Sequence, residues 1–83
     1  MVGVYGFLKD PVAILRNVAK SLAPTGRLGI VEYKKDGAGG PGPDLDERID
    51  PEVIIRDAGS AGLVLRSHET FLRYQYLLVF GRN

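Results

Sequence analysis

The sequence has no cysteine or tryptophan, and only one histidine and one methionine among its 83 residues. Without cysteine there is no disulfide and no thiolate metal ligand, and a single histidine excludes a histidine metal cluster. The formal charge of +1 argues against a nucleic-acid partner bound through charge. No apolar run approaches the roughly 20 residues of a membrane span, and no signal-peptide pattern opens the chain. We therefore expect a cytoplasmic protein with no membrane span and no nucleic-acid partner.

The length indicates one small domain over residues 1–83. A chain of this size buries only about 60–65% of the surface that its unfolded form exposes, so its stability is marginal without help. Because disulfides cannot supply that help, we expect association with another chain.

The central feature is an apolar run over residues 26–33, which predicts a buried strand. Leu28 and Ile30 lie on one face of this strand, and Val31 and Tyr33 lie on the other. A strand that is apolar on both faces is typical of a sheet covered on both sides. The pattern therefore predicts a three-layer α/β arrangement.

Two helix starts flank this strand, because Asp10-Pro11 and Asp50-Pro51 each place an N-cap before a proline at the first helical position. The first helix ends before Pro24, and Gly62 is expected to end the second as a left-handed cap. The apolar stripe of the first helix is Ile14, Val18 and Leu22, widened by Leu15 and Ala19.

The remaining segments complete the topology. Residues 63–70 and 72–81 predict an antiparallel hairpin, and the second of these strands is the more apolar. We expect it to insert antiparallel between the central strand and the edge strand, which gives an α-β-α-β-β order in an α/β fold. Residues 36–43 are rich in glycine and proline, and we expect them to be the most mobile internal segment.

The stretch Leu22-Ala23-Pro24-Thr25-Gly26-Arg27-Leu28, set between an amphipathic helix and the apolar strand, carries a family resemblance. Together with the order of the other elements, it resembles the C-terminal half of a class I S-adenosylmethionine-dependent methyltransferase. The nearest branch is the small-molecule one that includes the ubiquinone/menaquinone-biosynthesis type. That family usually has two glycines after the proline, and here Thr25 replaces the first of them. The fold that the resemblance implies is a partial Rossmann-like methyltransferase sheet.

The resemblance implies S-adenosylmethionine as the cofactor. In that family a glycine-rich loop and a ribose-binding acid hold the cofactor, both in the N-terminal half, and this chain has no matching segment. We therefore expect the chain to be non-catalytic alone and to bind the cofactor no better than millimolar. Two interpretations stay open: one half of a methyltransferase that needs its N-terminal half, or a non-catalytic module that forms a homo-oligomer.

Candidate site residues lie at the carboxyl end of the central strand, where ligands collect in open α/β sheets. Glu32 and Tyr33 end that strand, and Tyr5 is expected near the same edge, so these three are the substrate-side candidates. The chain offers no catalytic, cofactor-binding or metal-binding candidate. His68 and Arg48 are expected to be solvated surface residues.

Tyr74 and Tyr76 share one face of the last strand. They are expected to pack with their hydroxyl groups toward water.

Overall fold

The computed structural model describes residues 1–35, 44, 48–70 and 72–82. After a 3-10 turn at Tyr5–Phe7, the elements are α1 (Pro11–Ser21), β1 (Arg27–Tyr33), α2 (Pro51–Ser60), β2 (Leu63–Glu69) and β3 (Gln75–Arg82). The segment 36–43, predicted to be mobile, lies outside the described residues. Neither described helix combines the length and the hydropathy that crossing a membrane requires.

Both helix starts are confirmed. The Asp10 carboxylate accepts a hydrogen bond from the Ala13 N–H at 3.2 Å, and the Asp50 carboxylate accepts one from the Glu52 N–H at 3.2 Å. Each bond satisfies one of the N–H groups that a helix start leaves without an intrahelical partner. Gly62 follows α2 with a φ of 90°, the left-handed conformation expected of a glycine after a helix.

The sheet has the strand order β1-β3-β2, and β3 runs antiparallel to both neighbours. The prediction that the last strand inserts between the other two is therefore confirmed. On the edge of β1 that faces away from β3, Val2 forms a parallel bridge with Val31. The Gly3 N–H donates to the Val31 carbonyl at 2.9 Å, so the first residues of the chain pair with part of the outer edge of β1.

The core lies on one face of the sheet. Ile30, Leu78 and Phe80 point to this face and are at most 1% exposed, and they pack in one cluster with Leu15 of α1 and Ile54 of α2. The alternate residues of the strands lie on the opposite face and are only half-buried; they are Val31, Tyr33, Leu77 and Val79.

The expected three-layer arrangement is wrong for the described residues, because both helices lie on the same face of the sheet. One helix connects residues 1–3 to β1, and the other connects β1 to the parallel strand β2. Both crossovers step across the sheet in the same direction, and right-handed crossovers of that kind place their helices on the same side.

The buried stripe of α1 also differs from the prediction. Leu15 is fully buried, and Val12, Ala19 and Leu22 pack beside it against the core. Ile14 is 37% exposed, so it lies at the edge of the buried stripe rather than at its centre. Leu15 packs in the same cluster as Ile54 and Ala58 of the neighbouring helix α2.

Candidate functional site

Two of the three substrate-side candidates meet at the carboxyl end of β1. The Tyr5 backbone N–H donates a hydrogen bond to Glu32 Oε2 at 2.9 Å, and both residues are buried. Glu32 lies on the helix-covered face of the sheet, in register with Tyr76 of β3. Its carboxylate therefore holds the backbone between residue 3 and α1, and it is not the solvated acid that a strand end usually carries.

The Tyr5 side chain links this loop to α2. Its hydroxyl group donates a hydrogen bond to Asp57 Oδ2 at 2.7 Å. Burial raises the pKa of the Tyr5 phenol, and the hydrogen bond to the Asp57 carboxylate raises this pKa further. Tyr5 is therefore a protonated hydrogen-bond donor at neutral pH and is not available as a base.

Tyr33 points to the opposite face of β1 and does not join Tyr5 and Glu32. The Arg48 guanidinium lies over the Tyr33 ring, 5.5 Å from its centroid, and Arg48 Nη1 donates to the Lys34 carbonyl at 3.0 Å. Arg48 is 6% exposed, so the prediction of a solvated surface arginine is wrong. A cation over an aromatic face is attracted by the ring quadrupole, and that contact was not readable from the local sequence.

A cleft of about 320 Å³ opens beside these residues. Its walls come from the end of β1, the start of α2 and the end of β2, and its lining residues are Lys34, Lys35, Asp50, Pro51, His68, Thr70 and Tyr76. Lys34 Nζ donates to the Thr70 carbonyl at 2.7 Å, which ties the ends of β1 and β2 together across the cleft. His68 is exposed, as predicted, and its ring meets that of Tyr76 edge-on at 6.2 Å.

Tyr76 forms the floor of this cleft and is 1% exposed. Its hydroxyl group donates to the Ile49 carbonyl at 2.8 Å, so the prediction that it points to water is wrong. Burial raises the pKa of this phenol, and the negative charges of Glu32 and Asp50 raise it further. Tyr76 is therefore a protonated hydrogen-bond donor at neutral pH and is not available as a base.

Sequence reasoning missed most of the cleft lining. Lys34 and Lys35 follow β1 directly, so their position after a buried strand was a usable signal. The contribution of Asp57 left no such signal, because it depends on how α2 packs against Tyr5.

The described residues hold no group of three or more His, Cys, Asp or Glu side chains that could bind a metal ion. They also do not fit S-adenosylmethionine by themselves. The acidic side chain that ends β1 is 7% exposed and is engaged by the Tyr5 N–H, so it is not free to hold a ribose.

No protein-family model and no curated protein matches the chain. Among solved structures, it is similar over its full length to a SAM-dependent methyltransferase from Aquifex aeolicus, with a TM-score of 0.87 and 18% identity. It is similar in the same way to a protein from Sulfolobus solfataricus assigned as a type 11 methyltransferase, with a TM-score of 0.81 and 22% identity. The chain has part of a methyltransferase fold.

A third structure, that of TnmH, matches the whole chain with a TM-score of 0.75 and 28% identity. The chain spans 44% of the Aquifex aeolicus protein, 47% of the Sulfolobus solfataricus protein and 29% of TnmH. The partial methyltransferase fold thus corresponds to less than half of each of these chains.

Proposed function

We propose that this chain is the C-terminal half of a class I S-adenosylmethionine-dependent methyltransferase domain and supplies the acceptor-side wall of its site. The observation that carries the proposal is the full-length similarity to two methyltransferases at TM-scores of 0.87 and 0.81, combined with coverage of 44% and 47% of their chains. The fold alone brings no activity, because function resides in the site residues rather than in the architecture. In this proposal the chain therefore forms part of the acceptor site and does not carry out methyl transfer by itself.

In this proposal the N-terminal half binds the cofactor. S-adenosylmethionine supplies the methyl group, and the residues of this chain orient and enclose the acceptor. Tyr5, Glu32 and Tyr33 stay the proposed substrate-side residues, with Glu32 as a positioning residue that fixes the Tyr5 loop. The cleft between Lys34 and His68 lies at the same edge of the sheet. Reactions of this kind depend largely on orientation, which a rigid wall provides.

The small-molecule branch that includes the ubiquinone/menaquinone-biosynthesis type remains the proposed subgroup. Its support is the stretch Leu22-Ala23-Pro24-Thr25-Gly26-Arg27-Leu28, which leads from α1 into β1. Tyr5 and Gly6 stand where that branch often has two histidines, so no role of those histidines is carried over.

The test is association with a candidate N-terminal half, defined as a segment with a strand, a glycine-rich loop, a helix and an acidic second strand end. Isothermal titration calorimetry of the two halves should show saturable one-to-one binding. Val2 and Ile14 are 66% and 37% exposed, so Val2→Lys and Ile14→Lys should weaken binding without unfolding the chain. The control is Arg56→Gln, which removes a charge from an exposed position. Failure of every candidate half to bind would count against the proposal.

One observation favours a second candidate, a non-catalytic module that forms a homo-oligomer. Val2, Val4, Phe7 and Ile14 are large apolar side chains that are all at least 37% exposed. Exposed apolar surface beside an incompletely paired strand edge favours pairing with another chain. This candidate predicts stable self-association in the absence of any other half.

A further inference from the structure

Basic side chains gather at one end of the sheet, where β1 and β2 begin and β3 ends. Five residues contribute: Arg16, Lys20, Arg27, Arg66 and Arg82. Most acidic residues of the described chain lie at the opposite end, at the helix starts and at the ends of β1 and β2; they are Asp10, Glu32, Asp50, Glu52 and Glu69. The opposite end also carries basic residues, among them Lys34 and Lys35 after β1, so it holds both signs of charge. The end with Arg27 and Arg66 is therefore the more positive of the two.

Part of this basic cluster is explained by helix ends. Lys20 lies in the last turn of α1, and Arg82 Nη1 donates to the Leu22 carbonyl at 3.1 Å just beyond that helix. Cations are stabilised at helix C-termini, where carbonyl groups lack intrahelical partners. Arg27 and Arg66 have no such explanation.

Arg27 and Arg66 converge over Gly81 of β3. Gly81 lies between Arg27 of β1 and Val64 of β2 in the sheet register. A Cβ atom built on Gly81 would lie 2.9 Å from Arg27 Nη1 and 3.0 Å from Arg66 Nε. The two guanidinium groups therefore meet in the space that the missing side chain leaves open.

Backbone carbonyls hold both groups in place. Arg27 Nη1 donates to the Gly26 carbonyl at 2.8 Å, and Arg66 Nη2 donates to the Arg82 carbonyl at 2.8 Å. Neither arginine forms an ion pair with a carboxylate among the described residues, where the ion pair present is Arg56–Asp57. Two like charges are thus brought together, and no carboxylate in the described part of the chain pairs with either of them.

We propose that Arg27, Arg66 and Gly81 form a binding site for a phosphate group. Guanidinium groups bind oxyanions through planar pairs of N–H donors, and a phosphate between two of them removes their mutual repulsion. Gly81 is essential to this site, because any side chain at that position would push the two guanidinium groups apart. The site lies at the opposite end of the sheet from the cleft and does not depend on methyl transfer.

The experiment is a ¹H–¹⁵N NMR titration of the 83-residue chain with inorganic phosphate, at ionic strength held constant with sodium chloride. We expect saturable shifts centred on residues 27, 66 and 81. Arg27→Gln and Arg66→Gln should each weaken phosphate binding at least about fivefold. Arg56→Gln removes the same charge from an exposed position on α2 and should leave the affinity unchanged.

Gly81→Ala tests the geometry without changing the charge. The contacts of the new methyl group would be the far ends of two flexible side chains, so the strand should still form. Phosphate affinity should fall at least as far as in Arg27→Gln. Arg66→Lys should also lose affinity, because it keeps the charge but not the planar fork.

Adenosine 5′-monophosphate and a ten-nucleotide single strand distinguish the source of the phosphate. Equal affinity for phosphate and the mononucleotide indicates a small ligand, whereas much tighter oligonucleotide binding that Gly81→Ala abolishes indicates a nucleic-acid backbone. Unchanged affinity in Gly81→Ala, or an equal loss in Arg56→Gln, would overturn the proposal.

Discussion

The backbone N–H of Tyr5 is bonded to the carboxylate of Glu32 at 2.9 Å, and the two residues are 27 positions apart in the chain. This bond fixes the loop before α1 to the carboxyl end of β1. Because both groups are buried, water cannot take the place of the carboxylate as acceptor for the Tyr5 N–H if Glu32 is substituted.

Glu32→Ala should lower the free energy of unfolding by about 1–3 kcal/mol, because the Tyr5 N–H would be left buried without an acceptor. Glu32→Gln keeps an acceptor oxygen and should cost less. Urea unfolding followed by circular dichroism measures both. Glu69→Gln, at an exposed position, is the control, and equal midpoints for Glu32→Ala and this control would refute the structural role of Glu32.

Alkaline stability should depend on Tyr5 and Tyr76. The pKa of each phenol is raised in the folded chain, so folding favours the protonated form. Their contribution is fully present below the unfolded pKa of about 10, and the free energy of unfolding falls as the pH rises beyond it. Tyr5→Phe should flatten this alkaline decrease in urea unfolding measured from pH 8 to 11, and an unchanged slope would contradict the assignment.

Two adjacent leucines of β3 test the one-sided core. Leu78 is fully buried against the helices, whereas Leu77 is half-buried on the opposite face. Leu78→Ala should lower the free energy of unfolding by about 2–5 kcal/mol. Leu77→Ala should cost less than about 1.5 kcal/mol. Equal losses would mean that another body covers the second face.

Assembly can be measured by light scattering at tens of micromolar. The exposed apolar side chains predict a homodimer or larger homo-oligomer when no other half is present. Ile14→Lys should shift the population toward the 9.0 kDa monomer. A monodisperse monomer for the unmodified chain would exclude the self-associating module.

The topology could be predicted because each element carries a local signal. The prolines after Asp10 and Asp50 mark the helix starts, and the uninterrupted apolar run of β3 favours its central place in the sheet. These signals are independent of distant residues, and the structure confirms them.

The site and the layers depend on long-range packing and were less predictable. The apolar residues Val31 and Tyr33 suggested a second helical layer, but apolar character alone does not say what covers a face. The burial of Arg48 and the hydrogen bond of Tyr76 both come from the segment before α2, whose position the local sequence does not determine. The cleft follows from the same packing.

The most direct test of the central claim is calorimetric titration of S-adenosylmethionine into the chain alone and into the chain mixed with a candidate N-terminal half. We predict binding no better than millimolar for the chain alone, with no methyl transfer, and tighter binding once the glycine-rich loop of the other half is present. The reason is that the glycine-rich loop and the ribose-binding acid belong to the other half, and the Glu32 carboxylate of this chain is buried and already bonded to the Tyr5 N–H. Micromolar binding at one site per isolated chain would contradict the proposal that cofactor binding needs the other half.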